Sequence, residues 1–463
     1  MDKPNPTLFL AVIRADQILQ QPAALQPYRC DKTPDLYGDP RLVVLPETSE
    51  EVAKILQLCQ AHRFPIRIRG GGSGVAGGAV PSANEIVLST ERLHQIIAVS
   101  AENKTLHAQA GVITAEVMQA AQQVGLAFAQ DIGSSQWSTI GGNVAVASGS
   151  PQSFYYQNTA HFVQNLRVAL PNGDLFWTGN HVDKNASGYA LTPLFCGSEG
   201  SLGIITEVVI RLVTPKPFQA VGVWKFRHWQ EALESVRQLR LQTVASPTSI
   251  EWLDEPALTI LRKFPETAQP PFLQDTETQA MVWVSWATDT AVYLPEIAHQ
   301  WEQKHLLPPQ NRLFYSDEQL PKAWALPMGM GKVLQQYGAF RDVDICVPFQ
   351  HLGQIYEGIQ AICQKIGIGF TGFGHVGNAN LHVHLLQENL PSDAWQVRQK
   401  EAAESIYRLV IEKGGVISGE HGIGRLQVSY VKWQLSPEQL FWMQQLKKLF
   451  DPTGILPSIL GSA

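Results

Sequence analysis

Three histidines stand close together in residues 374–384, which read GHVGNANLHVH. Apolar and polar residues alternate on both sides of Gly377–Asn380, which predicts two strands joined by a four-residue turn. In that register His375 lies directly opposite His382, with Cβ atoms about 5 Å apart. Two imidazoles at this distance can bind one divalent metal, and His384 shares the face of His382 because side chains alternate along a strand. The alternative is a hydrogen-bonded polar pair without a metal.

A second segment, residues 418–424 (SGEHGIG), sets Glu420 and His421 among glycines. In such a pair the carboxylate can bind a cation while the neighbouring imidazole handles a proton. Adjacent Glu and His side chains are also common on protein surfaces. Taken alone, the pair leaves both interpretations open.

Glycine-rich segments earlier in the chain predict a binding site for an anion. Residues 69–78 read RGGGSGVAGG and follow the apolar stretch 65–68. Backbone with so few Cβ atoms can bring its N–H groups against a diphosphate, although a flexible surface loop is the alternative. The run lacks the acidic residue of a dinucleotide fingerprint and the G-K-[ST] of a nucleoside-triphosphate loop. Two more small-residue segments, 131–143 and 196–203, would suit an extended ligand.

Composition indicates a globular protein and excludes several functions. The chain has 463 residues, 44% of them hydrophobic and 16% charged, so two or three domains are expected. A net charge of −6 and the absence of any basic cluster argue against a nucleic-acid partner. Five scattered cysteines without C-x-x-C exclude a sequence-local zinc or iron–sulfur site and favour a reduced compartment. We expect a cytoplasmic protein with no transmembrane segment, and leave peripheral membrane attachment open.

The elements that must position these groups follow from apolar patterns and capping residues. Residues 40–69 predict a strand, a capped helix with an acidic first turn, and a second strand. A helix is expected over 114–124, a β-hairpin over 166–178 and a strand over 204–212. Two prolines in 214–217 mark the best domain boundary, and the last ~60 residues are predicted to be helical.

Five motifs in order make the chain resemble a flavoprotein family. They are PETSEEVAKIL, RGGGSGVAGG, STIGGNVA, KNASGYALTPLF and GSEGSLGIITE. Together they resemble the FAD-binding domain of the vanillyl-alcohol-oxidase/PCMH superfamily. The closer likeness is to the branch that holds D-lactate dehydrogenase, the flavin subunit of glycolate oxidase, and D-2-hydroxyglutarate dehydrogenase. That branch also carries GH-x-G-x-x-N-x-H and GEHGIG, so the resemblance covers nearly the whole chain.

The resemblance implies an α+β fold with three parts. These are a PCMH-type FAD-binding domain at 1–214, a ferredoxin-like α+β substrate or cap domain at 215–414, and a C-terminal helical segment at 415–463 packed on the FAD domain. Residues 69–74 hold no His or Cys, so non-covalent FAD is expected. The implied FAD contacts are Arg69, Gly70, Gly71, Gly72, Ser73, Gly74, Gly77, Gly78, Asp131, Ser134, Ser135, Thr139, Gly141, Gly142, Asn143, Ala145, Glu199, Gly200, Gly203 and Ile205.

The same resemblance assigns the chemical residues. It gives His375, His382 and Glu420 to a divalent metal, zinc or manganese, and makes His421 the general base, with Asn380 shaping the site. Oxidation of a 2-hydroxy acid removes the hydroxyl proton and passes a hydride to flavin N5. A metal on the hydroxyl lowers its pKa, and a neutral imidazole can then take the proton.

The chain departs from the family where the substrate carboxylate is usually bound. Family members carry Arg three residues after a Trp in the middle domain, but here Pro327 follows Trp324. The family's GYDLTRLF is GYALTPLF, and the Asp-Gly of the hairpin is Asn378-Ala379. A carboxylate favours a cation, most often Arg. Arg341 is the expected substitute, Lys332 is a weaker one, and a surface salt bridge is the alternative role for Arg341.

The sequence therefore predicts FAD-dependent, metal-assisted oxidation of a small D-2-hydroxy acid, such as glycolate or D-lactate, to the 2-oxo acid. Without iron–sulfur cysteines, the electrons must leave to a separate acceptor, which could be an iron–sulfur subunit, a quinone or a soluble carrier. One alternative is a flavin subunit that serves assembly or electron relay in a larger glycolate-oxidase-like complex. Another is an oxidase that uses dioxygen directly.

Overall fold

The computed structural model describes residues 5–242, 246–264, 273, 275–304, 306–308 and 312–461. The chain divides into two units. The first comprises Met1–Gly149, Asn158–Pro215 and Glu420–Ala463, and the second comprises Ser150–Gln157 and Lys216–Gly419. Among the described residues, no helix combines the length and the apolar character needed to cross a lipid bilayer.

The regular elements are numbered along the chain. The helices are α1 Pro6–Phe9, α2 Pro22–Leu25, α3 Ser49–His62, α4 Thr114–Gln123, α5 Ile140–Val146, α6 Ser153–Tyr156, α7 Thr159–Phe162, α8 Thr192–Phe195, α9 Trp229–Arg240, α10 Glu255–Arg262, α11 Tyr293–Gln303, α12 Leu320–Tyr337, α13 Leu352–Ile366, α14 Ser392–Glu412, α15 Val431–Gln434 and α16 Pro437–Phe450. The strands are β1 Ile18–Leu19, β2 Leu42–Val44, β3 Ile66–Arg69, β4 Ile86–Ser89, β5 Ile96–Ser100, β6 Thr105–Gln109, β7 Val163–Ala169, β8 Leu175–Trp177, β9 Ile204–Arg211, β10 Phe218–Phe226, β11 Ser249–Asp254, β12 Ala280–Thr288, β13 Arg312–Ser316, β14 Phe340–Cys346, β15 Gly369–Gly374 and β16 Asn380–Leu386.

Two sheets form the first unit in the part that the structure describes. One has the order β1-β2-β4-β3, in which β2, β4 and β3 are parallel, and the other is antiparallel with the order β5-β6-β9-β7-β8. The Thr48 side chain caps α3 by accepting from the Glu51 N–H at 3.1 Å. The helix then buries Val52, Ile55 and Leu56 against the first sheet. The predicted strand, capped helix and strand over 40–69 are confirmed.

Four further sequence predictions fall in the first unit. The helix expected over 114–124 is α4, the hairpin over 166–178 is β7 with β8, and the strand over 204–212 is β9. The fourth, a helical C-terminus, is wrong for residues 413–430. Gly414, Gly422 and Gly424 adopt positive φ in that stretch, a conformation that interrupts a right-handed helix. Helical structure resumes at α15 and α16.

One antiparallel sheet forms the described part of the second unit, with the order β13-β10-β12-β11-β15-β16-β14. Helices α10 and α12 pack on one of its faces, where Leu326 and Met330 contact the apolar side chains of β10–β12. Helices α13 and α14 pack against each other, against β14 and β15, and against β16. His382 and His384, described below, lie on the same face of this sheet as α10 and α12, near strands β14, β15 and β16.

The division of the chain differs from the sequence boundaries at two short segments. Residues 150–157 belong to the second unit, because the Phe154 ring lies against Gly377. Residues 415–419 also belong to it, because Val416 pairs with Cys346. Near the two prolines, the first unit ends at Pro215 and the second unit continues from Lys216.

A buried carboxylate joins three elements of the second unit. Asp254, fully buried at the end of β11, accepts from the Ala257 N–H (2.8 Å) as the N-cap of α10. It also accepts from the Gly372 N–H (2.6 Å) of β15, the Thr371 hydroxyl (3.2 Å) and the Tyr356 hydroxyl (3.0 Å) of α13. A buried carboxylate is tolerated because donors replace the water that it loses.

Replacing Asp254 by Asn should lower the free energy of unfolding of the second unit by about 3 kcal/mol, because an amide NH₂ would face groups that now donate to the carboxylate. Urea unfolding followed by the fluorescence of buried tryptophans such as Trp252 measures the change. Tyr356→Phe is the matched control: it removes one donor, keeps the ring and should cost about 1 kcal/mol. An Asp254→Asn transition at the wild-type midpoint would contradict this role.

Candidate active site

The structure brings His375 and His382 together at one end of the second unit's sheet. Their ring centroids are 5.2 Å apart and the rings are nearly perpendicular, at 85°. His382 stands on β16 and is 6% exposed, and His375 follows directly after β15. Two imidazoles in this arrangement can contribute to one binding site for a cation.

The predicted hairpin register is wrong, although the two rings are close. The residue paired with His382 is Phe373, and His375 lies beyond the end of its strand. The turn takes in Val376, because the Ala379 N–H donates to the Val376 carbonyl at 3.0 Å and Ala379 adopts a left-handed φ of 55°. The alternation of apolar and polar residues assigns Val376 to the strand. It therefore predicts that His375 pairs with His382, whereas Phe373 does.

Two buried carboxylates lie behind the imidazoles. The Oε2 atom of Glu251 is 2.7 Å from Nδ1 of His375, and Oδ1 of Asp344 is 3.7 Å from Nδ1 of His382. At 2.7 Å the Glu251 carboxylate can accept from Nδ1–H of His375, which leaves the lone pair of that imidazole on Nε2 and fixes its direction, whereas Asp344 at 3.7 Å lies beside His382 beyond hydrogen-bond distance. A carboxylate that accepts from Nδ1–H is commonly found behind metal-binding histidines.

Sequence reasoning missed Glu251 and Asp344. A pattern in the sequence does point to them, because each is an acidic residue inside a strand of otherwise mostly apolar residues. Buried acidic residues are rare unless they are paired, so such a position indicates a polar partner within the fold. The partner itself is not in the pattern, since it lies in another segment of the chain.

Asp344 also holds the backbone that leads to the second chemical segment. Its Oδ2 atom accepts from the Gly419 N–H (2.8 Å) and the Ser418 hydroxyl (3.3 Å), and its Oδ1 atom accepts from the Asn380 amide (2.7 Å). Asn380, expected to shape the site, therefore acts through Asp344. Glu420 comes next in the chain after Gly419.

In the first unit, Glu420 and His421 stand on a loop that other groups hold. The Glu420 carboxylate lies against Gly149, where an added Cβ would be only 2.1 Å from Oε2, and its Oε1 atom is 3.9 Å from Nε2 of His421. Both carboxylate oxygens of Glu199 accept from backbone, the Ile423 N–H at 2.6 Å and the Gly424 N–H at 2.9 Å. Burial raises the pKa of Glu199, and these two bonds oppose that shift.

A third imidazole extends the polar face along β16. His384 stacks flat on Phe373, with centroids 4.9 Å apart and planes 6° from parallel. Its Nε2 atom is 3.6 Å from Oδ1 of Asp342, which stands opposite it on β14. His382 and His384 therefore share one face, as the sequence pattern predicts.

Arg341 does not share that face. On β14 the side chains of Asp342 and Asp344 point toward the histidines, so Arg341 points to the opposite side of the sheet. There its Nη1 atom donates to Gln399 of α14 at 3.1 Å. The weaker candidate, Lys332, lies on α12 with its side chain exposed. The structure thus does not bring Arg341 to the face that carries His382 and His384.

In the first unit, the glycine run packs against the turn that precedes α5. A Cβ on Gly70 would be 2.5 Å from Oγ1 of Thr139, and one on Gly71 would be 1.8 Å from the Trp137 carbonyl oxygen. Real Cβ contacts do not occur at such distances, so these two positions require glycine. The Arg69 guanidinium lies against Gly72 of the run, where an added Cβ would be 2.2 Å from Nη2, and it donates to the carbonyl of Cys30 at 2.7 Å.

A cleft of about 440 Å³ lies at this junction and is lined by Arg69, Gly70, Gly71 and Thr139 among others. Its volume falls in the range of about 300–1,000 Å³ that is typical of ligand sites. Bare glycine backbone along one wall allows N–H groups to approach an anion. The residues present fit a diphosphate-bearing cofactor.

The remaining predicted contacts are distributed over the same unit. Many are occupied by the protein itself: Oγ1 of Thr139 accepts from the Gly142 N–H, the Asn143 amide donates to Thr114, and the Ala145 carbonyl accepts from the Glu199 N–H. Most of the other residues are glycines that pack closely against neighbouring atoms or adopt positive φ. These glycines are Gly72, Gly77, Gly141, Gly200 and Gly203, whereas Gly78 has only ordinary contacts, with an added Cβ 3.7 Å from Oε2 of Glu199. Ile205 is a residue of β9. Ser134 and Ser135 lie in the turn before Thr139, and Asp131 is exposed. Ser73 and Gly74 lie within the glycine run that follows β3.

Family models match most of the chain. A model described as "FAD linked oxidases, C-terminal domain" matches residues 216–458, and one described as "FAD binding domain" matches residues 40–179. The second match supports FAD as the cofactor of the first unit.

Individual proteins match over nearly their whole length. The chain is 30% identical over 435 residues to "Glycolate oxidase subunit GlcD" of Bacillus subtilis, which covers 93% of this chain and 90% of that protein. It is 31% identical over 434 residues to "D-lactate dehydrogenase" of Archaeoglobus fulgidus, which covers 93% and 94%. The crystal structure of p-cresol methylhydroxylase matches with a TM-score of 0.78 at 15% identity, covering 97% of this chain and 94% of that one. The expected α+β, PCMH-type fold is confirmed.

Gly71→Ala should weaken FAD binding about 10- to 100-fold, because the added Cβ must displace the turn that carries Thr139. Titration of the flavin-free protein with FAD, followed by quenching of flavin fluorescence, measures the dissociation constant. Gly353→Ala, on α13 of the second unit, is the matched control, since its Cβ would meet only the side chains of Leu233 and Trp229, both at 3.9 Å. Equal affinities of the two variants would show that the close packing at Gly71 does not matter for the cofactor.

Proposed function

Because this chain belongs to the family of FAD-linked oxidases, we propose that it oxidises a small D-2-hydroxy acid, of the glycolate or D-lactate type, to the 2-oxo acid. The observation that carries the proposal is the pair of imidazoles of His375 and His382, the first hydrogen-bonded at Nδ1 to the buried Glu251 carboxylate and the second with the buried Asp344 carboxylate 3.7 Å from its Nδ1. Hydroxy-acid oxidation needs such a polar cluster to bind and activate a hydroxyl group, and the names of both relatives support the substrate class.

His375, His382 and Glu420 are the proposed ligands of a divalent metal, zinc or manganese. Two neutral imidazoles and one carboxylate are a donor set that both metals accept. Support comes from Glu251, which directs His375, and from Asp344, which bonds to the residue before Glu420. When bound, such a metal lowers the pKa of a coordinated hydroxyl group, and FAD, held non-covalently, accepts the hydride.

The chain's own residues supply the proton chemistry in this proposal. His421, next to Glu420, takes the hydroxyl proton as the general base, because a neutral imidazole is the side chain whose pKa suits that task near neutral pH. Glu199 holds the backbone just after it through Ile423 and Gly424. Electrons then pass to a separate acceptor, an iron–sulfur subunit, a quinone or a soluble carrier. We place the protein in the cytoplasm, free or peripheral to a membrane.

A second candidate is a flavin subunit that relays electrons or supports assembly without its own substrate. Two observations favour it: Pro327 occupies the interior of α12 where relatives of this type carry Arg, and Arg341 faces away from the histidines. The buried carboxylates behind the imidazoles argue against it. A subunit without catalysis has no need to bury Glu251 and Asp344 at that cost.

Anaerobic mixing of the FAD- and metal-loaded protein with glycolate, D- and L-lactate and D-2-hydroxyglutarate tests the proposal. We expect bleaching of the flavin absorbance by at least one short D-2-hydroxy acid or by glycolate, and none by L-lactate. Failure of all these acids to reduce a bound flavin that dithionite does reduce would favour the relay subunit.

A variant separates the base from the binding residues in the same assay. His421→Ala should slow flavin reduction by about 10²- to 10⁴-fold, the usual contribution of a general base, while FAD stays bound. Reduction at the wild-type rate would remove His421 from that role.

Glu251→Gln should weaken metal binding about 10- to 100-fold, because the residue that directs Nε2 of His375 would lose its charge. Calorimetric titration of the metal-free protein with Zn²⁺ or Mn²⁺ measures this independently of activity. Glu234→Gln is the matched control, since Glu234 is an exposed residue of α9 paired with Arg237. Unchanged affinity in Glu251→Gln would exclude His375 as a ligand directed by Glu251.

A further inference from the structure

One exposed face of α16 carries large apolar side chains. Phe441 is 51% exposed, Trp442 is 66% exposed and Leu449 is 73% exposed. On a helix with 3.6 residues per turn these positions form one stripe. The helix is fixed from its other side, where the Phe450 ring contacts Phe195 (5.4 Å) and Lys447 donates to the Ser201 carbonyl at 2.9 Å. The stripe is therefore a stable surface of the first unit.

The exposed area of this stripe is comparable to that of the largest apolar patch on a typical monomeric protein, and such patches are often functional. Aromatic side chains measure about 150–250 Å² each, so the exposed parts of these three residues amount to roughly 300 Å². Monomeric proteins rarely expose more than a few hundred Å² of contiguous apolar surface. Two such stripes facing each other bury roughly 600 Å² of apolar surface, which is in the range of weak, transient contacts and below that of stable interfaces.

The charges along the stripe are arranged so that it complements itself. Glu438 is exposed in the first turn of α16 and Lys448 is exposed near its end, about 15 Å further along the axis. If a second α16 lies antiparallel on the first, the Glu438 of each copy faces the Lys448 of the other. Such a two-fold contact gives two charge pairs that flank the aromatic residues.

We propose that α16 is the surface through which two copies of this chain associate, with the two helices antiparallel about a two-fold axis. The charges favour this occupant over a lipid surface. Helices that lie on membranes present many Lys and Arg side chains, whereas this face carries one Lys and one Glu on a protein of net charge −6. The limited area predicts a weak dimer that forms in the micromolar range.

Sedimentation velocity of the full-length, FAD-loaded protein between about 1 and 100 μM tests the proposal. The expected mass rises with concentration from 51.1 kDa toward twice that value. Trp442→Glu should remain monomeric throughout. Tyr37→Glu is the matched control: Tyr37 is also a large exposed side chain of the first unit, and its replacement should leave the dimer intact.

Charge exchange provides the sharper test. Glu438→Lys and Lys448→Glu alone each place like charges together twice and should raise the dimer dissociation constant about tenfold or more. The double variant restores opposite charges and should recover the wild-type constant. A wild type that stays monomeric at every concentration would overturn the proposal, as would single and double variants that dimerise alike. Monomers that sediment with vesicles of anionic phospholipid would assign the surface to lipid instead.

Discussion

The polar end of the second unit depends on a carboxylate that is completely buried, that of Asp344. An unpaired carboxylate in this position would destabilise the fold by several kcal/mol. Here Asn380, Ser418 and Gly419 all donate to it, and the ring of His382 lies beside it. The groups that make the burial tolerable are thus the ones that shape the site, so stability and positioning have the same cause.

Carboxylates also accept from backbone N–H groups just before and just after the Glu420–His421 pair. Residue 419, just before the pair, donates to Asp344 within the second unit. Ile423 and Gly424, just after it, donate to Glu199 within the first unit. Glycine-rich backbone alone would be mobile. Within each unit, the carboxylate that accepts these N–H groups fixes the backbone that it bonds, which is Gly419 in the second unit and Ile423 with Gly424 in the first.

Residue spacing in the sequence predicted the features that depend only on neighbouring residues. The cap at Thr48, the hairpin of β7 with β8 and the shared face of His382 and His384 all follow from residue spacing, and the structure has them. The register at His375 could not be predicted, because it depends on whether Val376 joins the turn or the strand. Glu251 has a partner more than a hundred residues away in sequence, so the short-range spacing used for the hairpin carries no information about it.

Strand parity also decides how charge is distributed near the histidines. Arg341 is one residue from Asp342, and this single step puts the cation on the far side of the sheet and the carboxylate beside His384. With Glu251 and Asp344, three carboxylates then accompany three imidazoles on one face. A hydroxy acid is itself an anion and would be repelled by that face if it carried no added positive charge. In the proposed function, a divalent cation held by His375 and His382 would offset this excess of negative charge, so the proposed metal would serve binding of an anionic substrate as well as its chemistry.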